Sequence, residues 1–550
     1  MTYRKSTRSH SNQLIANYYV LIQFGAGTKK WTSFKHNGVM FPPEYIKHNI
    51  PVIYNGVDII LDKDAEEAAT LYAKYIESDY VKDKKFNKNF WNDWRKILGE
   101  NHPIVNFNNV NFRKIYEYIL DQKIKKKLDP IDMEKRSKIE EKYKTALVDG
   151  IPQPVGNFRI EPPGIFLGRG CNPNLGKIKR RIYPEDIIIN IEKDAPVPDP
   201  IPGHIWKQVI HDNTVEWLAS WKDIITGKTK YVWLGANSNM KSKSDMKKFD
   251  MARKLKKKIK SIRSVNNKNM LSDDMITKQI STALYFIDNF ALRIGNEKGK
   301  NETDTVGVSS LRKEHIKLLD NDVVNLDFLG KDSVRYNRKL RVDPIVYKNL
   351  TLFMDGKSPS DKIFDLISSS DINKYLQQFM KNLTAKVFRT YNASSLFQKE
   401  LKKISKKIDG MTGSDKINLL LDEYNRANGK VALLCNHQKN INNSSNKQLL
   451  KLNTQIKETR LKLKELRESD KKNPNKIKTQ ESKLKKLIAK KSIKTELKNI
   501  ALGTSKINYI DPRITVAFIR KHNIPIEKLF SKTLQEKFKW ALAIDDNYHF

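Results

Sequence analysis

Apolar positions along the chain change their spacing repeatedly, and each change predicts a different kind of element. Residues 1 to about 20 carry little periodic pattern and read as loosely ordered. From Trp31 to about Pro130 the pattern is mixed, with helical spacing in the aromatic patch Phe90-Trp91-Asn92-Asp93-Trp94-Arg95. A lysine-rich stretch, 123 to 145, also has helical spacing and reads as solvated on most sides. From Phe158 to about Leu234, Gly and Pro become frequent, as in Glu161-Pro-Pro-Gly164, Gly168-Arg-Gly170 and Pro196 to Gly203. Short β-rich runs there, Ile187-Ile-Ile-Asn-Ile191 and Tyr231-Val-Trp-Leu234, predict strands joined by turns. About 240 to 440 is mainly helical by periodicity, as in Ile280 to Leu292, and a strand pair around Val323 to Val342 interrupts it.

Residues 441 to 498 form a segment apart. Leu449, Leu452, Ile456, Leu463 and Leu466 follow heptad-like spacing, as do Ile477, Leu484 and Ile488. Between the two sets, Asn473-Pro474-Asn475 interrupts any continuous helix. Two helices folded back as an antiparallel coiled-coil hairpin satisfy this pattern, and a disordered charged tether is the alternative. Residues 499 to 550 regain Pro, aromatics and balanced charge and read as a small folded unit.

Charge narrows the function. The 550 residues hold 103 Lys and Arg against 62 Asp and Glu, a formal net charge of +41. The 441 to 498 segment alone has 18 basic and 6 acidic residues, a net +12. Charge spread this widely points to a polyanionic partner, nucleic acid before membrane. Eight Trp and 9% aromatics are too many for a disordered chain. Two cysteines, Cys171 and Cys435, exclude a disulfide-built scaffold and a Cys-rich zinc module. No apolar run nears the roughly 18 residues a membrane span needs. The basic start, Met1-Thr-Tyr-Arg-Lys-Ser-Thr-Arg8, has no apolar stretch behind it, so no secretory signal is expected.

Several chemistries lack their motifs. There is no G-x-x-x-x-G-K-[ST] and no H-E-x-x-H, and Cys435-Asn-His437 reads as a packed cysteine beside a polar histidine. Asp320 and Asp322 lie in a turn-like Leu-Asp-Asn-Asp. Neither a metal nor a cofactor is called for. What remains is a set of basic residues and a tyrosine in specific surroundings: Arg293 in Ala291-Leu-Arg-Ile-Gly-Asn-Glu-Lys298, Lys331 in Phe328-Leu-Gly-Lys-Asp-Ser-Val-Arg335, and Arg389 in Thr384-Ala-Lys-Val-Phe-Arg-Thr-Tyr-Asn392. His437 lies in Leu434-Cys-Asn-His-Gln438 and Tyr509 in Gly503-Thr-Ser-Lys-Ile-Asn-Tyr-Ile-Asp-Pro-Arg513. Taken singly, each has a structural reading: a surface ion pair for Arg389, a hairpin-turn lysine for Lys331, a core histidine for His437. Their joint occurrence favours chemistry.

These blocks, in this order, resemble the eukaryotic-type DNA topoisomerase IB family from about Trp31 to Phe550, including Asn157-Phe-Arg-Ile-Glu-Pro-Pro-Gly164 and the basic hairpin. The resemblance implies a catalytic five. Tyr509 would attack a DNA phosphodiester and form a 3′-phosphotyrosyl link. Arg293, Arg389 and His437 would bind the scissile phosphate, and Lys331 would protonate the departing 5′-oxygen. Preorganised cations suit a transition state that spreads negative charge over phosphoryl oxygens.

The resemblance further implies DNA contacts, mostly to backbone, at Lys230, Tyr231, Lys248, Asn296, Lys298, Thr305, Asn373, Thr384, Ala385 and Lys386. Arg169 would enter the minor groove and pair with Asp332, and Asn508 would lie close to the break. One stretch departs from the family. Its Gly-Arg-Gly-x-His-Pro-Lys lip is here Gly168-Arg-Gly-Cys-Asn-Pro-Asn174, which removes the lysine expected to pair with Glu302. Leu167 also stands where an arginine is common.

The implied architecture is an α+β multidomain clamp on double-stranded DNA, acting as a monomer without membrane contact. A short N-terminal arm (1–30) precedes a β-containing cap (31–239) and a mainly α-helical catalytic core (240–440) related to tyrosine recombinases. An antiparallel coiled-coil linker (441–498) leads to a small helical C-terminal domain (499–550). The nucleus is the implied compartment. Heavy Lys, Asn and Ile usage leaves open a large DNA virus, with a cytoplasmic factory or virion instead. The rival readings are a tyrosine recombinase, which usually carries His-x-x-Arg where this chain has Lys386-Val-Phe-Arg389, and a non-catalytic DNA-clamping protein.

Overall fold

The computed structural model describes residues 20–550 except 24, 26, 128–129, 300–301, 406–412, 440–442 and 469–472. The loosely ordered stretch expected at the N-terminus lies outside the described residues. The chain is a mixed α/β protein of two compact units. One takes residues up to Ser242 together with Gly299–Thr303, and the other Lys243–Lys298 with Asp304–Phe550.

The first unit has two apolar cores. One lies behind a five-stranded sheet whose order is Leu21–Ile22, Gln208–His211, Ile188–Asn190, Trp217–Lys222 and Thr229–Trp233. Ile189, Leu218, Ala219 and Val232 fill it without measurable exposure. The other gathers around three helices, Lys63–Ala73, Lys84–Leu98 and Arg113–Lys127. The helix Lys84–Leu98 shows how its sequence specifies it. Asp83 caps its start by accepting from the Lys85 amide (2.8 Å), and Gly99, at φ +84°, ends it. Phe86, Phe90 and Trp94, spaced by four, bury one face completely. The lysine-rich stretch forms the end of Arg113–Lys127 and then Pro130–Glu141, but 145 to 148 turns to strand (Thr145–Val148).

The second unit is mainly helical. Helices Met275–Asn289, Pro344–Met354, Ser369–Phe379, Ala385–Ser405 and Gly413–Leu434 share one large core with the Lys243-to-Asn269 portion of the long helix Asn239–Asn269. The expected strand pair is a three-stranded antiparallel sheet, Ile316–Leu319, Val323–Leu329 and Arg335–Arg341. The first strand escaped detection because four residues, Ile-Lys-Leu-Leu, are too few to separate a two-residue period from a helical one. Residues of the C-terminal segment, among them Ile510, Ile514, Phe518 and Phe550, belong to this same core, while Val516, Phe530, Phe538 and Ala541 form a small cluster of their own.

The basic segment forms two helices, Asn443–Glu468 and Pro474–Glu496. Arg467 pairs with Glu481 near one end and Lys494 donates to Gln448 near the other, so the helices run antiparallel. Asn473 caps the second helix by accepting from the Lys476 amide, and Pro474 occupies its first turn. Leu452, Ile456 and Leu463 are buried as expected. Ile488 is not: it is 41% exposed. Leu487 and Leu484 are the partly buried positions there, so Ile488 falls one residue outside the seam.

Candidate active site

Stretches of the second unit far apart in sequence line one small cleft. Its walls include Ala291 and Arg293, then Lys331 and Tyr336, then Arg389 and Cys435. Arg293 stands in the loop that follows Met275–Asn289. That loop is fixed by two backbone bonds, from Val308 to the Arg293 carbonyl (2.9 Å) and from Ser309 to the Ile294 carbonyl (2.7 Å). Gly295 and Gly307 cross at this point, and a Cβ on Gly307 would stand 2.5 Å from Gly295 backbone atoms. No side chain fits there.

Arg389 projects from the helix Ala385–Ser405 and is buried. One terminal nitrogen donates to the Ala291 carbonyl and the other to the Cys435 carbonyl (3.0 Å). The guanidinium thereby ties the Arg293 loop to the end of Gly413–Leu434. Its Nε is buried without a hydrogen-bond partner among the described residues. His437 follows that same helix end through a Schellman cap. Asn436 takes φ +54°, its amide donates to the Leu433 carbonyl, and the His437 amide donates to the Ala432 carbonyl (2.8 Å). The cap turns the imidazole inward, where it is 6% exposed.

Tyr509 closes the arrangement from the end of the helix Leu502–Asn508. Ser394 holds its backbone, donating to the Tyr509 carbonyl (3.1 Å) and accepting from the Asp511 amide (3.0 Å). Asp511 is fully buried and receives Arg513 (2.8 Å) and the Tyr548 hydroxyl (3.0 Å), and it starts the next helix with Pro512 at its first position. The Tyr509 ring lies 5.1 Å from the His437 ring and 5.0 Å from the Arg389 guanidinium carbon. Lys331 sits on the turn between Val323–Leu329 and Arg335–Arg341, exposed at the rim of the cleft.

The electrostatics follow from burial beside two guanidiniums. Burial would raise the Tyr509 phenol, but Arg389 and Arg293 outweigh it, so its pKa falls below the ordinary 10. Burial, reinforced by Arg389 and then Arg293, lowers His437 to about 3, so the ring is neutral at pH 7. Burial and then the charge of Arg389 lower Arg293 as well. Among the described residues neither Arg293 nor Arg389 forms a salt bridge with a carboxylate. Nor does any group of three His, Cys, Asp or Glu there have the arrangement to hold a metal ion. An acidified phenol beside one buried and one half-buried cation and a neutral imidazole is equipped to receive a phosphoryl group.

Comparisons with known proteins bear on the chain as a whole. Residues 29–234 match the DNA binding fragment of eukaryotic DNA topoisomerase I, 237–470 its catalytic core, and 481–550 the C-terminal topoisomerase domain. DNA topoisomerase 1 of Homo sapiens is 42% identical over 561 residues, covering 95% of this chain and 72% of the human protein. This chain belongs to the eukaryotic DNA topoisomerase I family. The family member DNA topoisomerase 1 of Caenorhabditis elegans is 43% identical over 560 residues, with 95% of this chain and 68% of the relative covered. DNA topoisomerase 1 beta of Arabidopsis thaliana is 43% identical over 556 residues, with 96% of this chain covered. The chain spans 60% of the length of that plant relative.

The remaining family positions are set in varied surroundings. Asn373 accepts from the Ala385 amide (3.1 Å), which places Thr384, Ala385 and Lys386 at one helix start. Asn296 and Lys298 are exposed in the Arg293 loop, Thr305 is half-buried after it, and Asn508 is exposed beside Tyr509. Asp332 occupies the Lys331 turn at φ +68°. Lys248 pairs with Asp245 (3.0 Å) one turn away on its own helix. In the first unit, the Tyr231 ring lies between Trp217 and Trp233. The Arg169 carbonyl accepts from Thr303 (3.2 Å).

Lys230 lies between Glu161 (2.6 Å) and Asp223 (2.8 Å). Asn174 is buried, 3% exposed, so a lysine restored there would carry its charge inward, while Glu302 pairs with Lys228. Sequence reasoning missed Lys228, Ser394 and Ser505. Ser505 lies inside the Gly503-to-Arg513 block, four residues before the tyrosine, and that spacing on a helix was the available signal.

Proposed function

We propose that the chain is a type IB DNA topoisomerase, which relaxes positive and negative supercoils by cleaving one strand, letting it rotate and resealing it. The observation that carries this reading is the placement of Tyr509 against Arg389 and His437, with Arg293 beside them and no carboxylate salt bridge to either arginine among the described residues. The Tyr509 oxygen, its proton lost to solvent, attacks phosphorus. Arg293, Arg389 and His437 hold the non-bridging oxygens as charge builds on them. The bond from phosphorus to the 5′-oxygen breaks, and Lys331 gives that oxygen a proton. The 3′-phosphotyrosyl link keeps the bond energy, so the freed 5′-hydroxyl reseals the strand by attacking it, returning the proton to Lys331, with no nucleotide consumed.

On this reading, residues up to about 239 serve as the cap half of a DNA clamp, and the mainly helical part after them as its catalytic half, akin to tyrosine recombinases. Binding is to duplex backbone, as a charge of +41 favours. Arg169, Lys230, Tyr231, Lys248, Asn296, Lys298, Thr305, Asp332, Asn373, Thr384 to Lys386 and Asn508 supply those contacts. On the same reading it acts in the nucleus, as a monomer.

Plasmid relaxation in EDTA without ATP tests the reading, run beside Tyr509→Phe. The unaltered protein should relax the plasmid fully. Tyr509→Phe should bind duplex and relax nothing. A denaturation-resistant DNA adduct on the Phe variant would overturn the assignment.

A further inference from the structure

His437 leaves an asymmetry that its own sequence block does not explain. Its two ring nitrogens are both buried, yet only one has a partner. Nδ1 lies 2.7 Å from the Ser505 hydroxyl oxygen, whereas Nε2 has no partner among the described residues. Ser505 is itself fully buried and lies on the helix that ends at Tyr509. Its carbonyl accepts from the amides of both Tyr509 and Ile510 at 3.0 Å. At the start of the same helix, the Ala501 amide donates to the His437 carbonyl (2.9 Å). The segment carrying the tyrosine is therefore tied to His437 twice, once through backbone and once through this hydroxyl.

From this geometry we infer that Ser505 is a positioning residue: its hydroxyl donates to His437 Nδ1, fixing the tautomer that carries its hydrogen on Nε2 and presents it to a phosphoryl oxygen. A neutral imidazole has one N–H, and which nitrogen bears it is set by the partner of the other. The hydroxyl has His437 Nδ1 as its hydrogen-bond partner, so donation there satisfies its hydrogen. The opposite tautomer would aim a bare lone pair at an anion. The groups facing the ring include Arg389 from its helix, Arg293 from its loop and the Tyr509 phenol, and the two guanidiniums disfavour a second proton. The inference rests on the proposed function, since it gives Nε2–H its acceptor.

The first test uses the unaltered protein. Nitrogen NMR of histidine-labelled protein, with the His437 signals assigned by their loss in His437→Gln, should show Nδ1 without a proton and Nε2 with one at pH 7. A protonated Nδ1 overturns the inference. The second test is single-turnover cleavage of a suicide substrate. Ser505→Ala should cleave about tenfold more slowly, the effect of one lost hydrogen bond, with duplex affinity unchanged. In a His437→Ala background the same change should cost less than about twofold, because the two residues act as one unit. An equal loss in both backgrounds would mean that Ser505 only supports the fold. Tyr509→Phe separates the two ideas: an adduct there sinks the function, whereas a normal Ser505→Ala rate sinks only the inference.

Discussion

Two buried histidines, one in each unit, are completed to different degrees. In the first, His36 is sealed into the structure. Its Nε2 meets the Asn190 carbonyl (2.9 Å) and its Nδ1 accepts from the Gly38 amide (3.0 Å). Lys230 there is likewise closed between Glu161 and Asp223. In the second, among the described residues, His437 has one partnered nitrogen and one without a partner, and Arg389 spends its terminal nitrogens on carbonyls while its Nε finds none. Both histidines are pushed down by burial, His36 to about 4 and His437 to about 3, so burial alone does not distinguish them. The difference is completion. Polar groups that complete one another hold a fold together, whereas an open buried donor beside two guanidiniums is set to receive an anion.

The sharpest way to break this contrast is to remove an open cation. Arg389→Gln should slow single-turnover cleavage by about 10²- to 10³-fold, the cost of one preorganised oxyanion donor. It should also move the ascending limb of the pH profile to higher pH, because a charge that lowers the Tyr509 phenol is gone. Gly307→Ala should come next. The new Cβ meets Gly295 backbone, so the Arg293 loop must shift. Cleavage should fall by about tenfold or more, with duplex binding largely kept, since misplacing a catalytic group is costly.

Acid stability separates the histidines from the rest of the fold. The unfolded chain takes up a proton on each near pH 6.5, and the folded chain does so only near 4 for His36 and near 3 for His437. Their contribution to stability is therefore fully present above about pH 6.5 and is lost as pH falls toward 3. Denaturant titrations should show His437→Gln losing less stability than the unaltered protein between pH 6.5 and 4. The smallest effect on chemistry belongs to the closed cluster. Lys230→Gln should lower stability by about 1 kcal/mol, because two carboxylates lose a partner that is partly solvent-screened. Single-turnover cleavage of a short substrate at saturating protein should change less than about twofold, the lost DNA contact appearing in affinity alone. A large loss of cleavage in this variant would erase the contrast between the units.

What could be read from the sequence was local. The helix around Phe90 and Trp94, the strands near Ile189 and Val232, and the break at Pro474 each follow from spacing or from a single residue type. Arg293, Lys331, Arg389, His437 and Tyr509 could be singled out because each lies in a distinctive block. Long-range pairing could not. Glu161 and Lys230 are 69 positions apart, and nothing in either segment announces the ion pair. Asn174 reads as a surface loop residue but is buried. Ile488 fits a heptad on paper, yet one position of slippage turns it outward. Ser505 stood in view as an ordinary helical serine, and only the fold reveals the His437 ring against its hydroxyl.

The central claim is that the phenol beside these open cations is the group that takes the phosphate. It is tested most directly by trapping the protein on a suicide DNA substrate, digesting the adduct and sequencing the peptide that retains a nucleotide by mass spectrometry. The account predicts a single modified peptide, with the 3′-phosphate on Tyr509. A stable adduct on any other residue would contradict it.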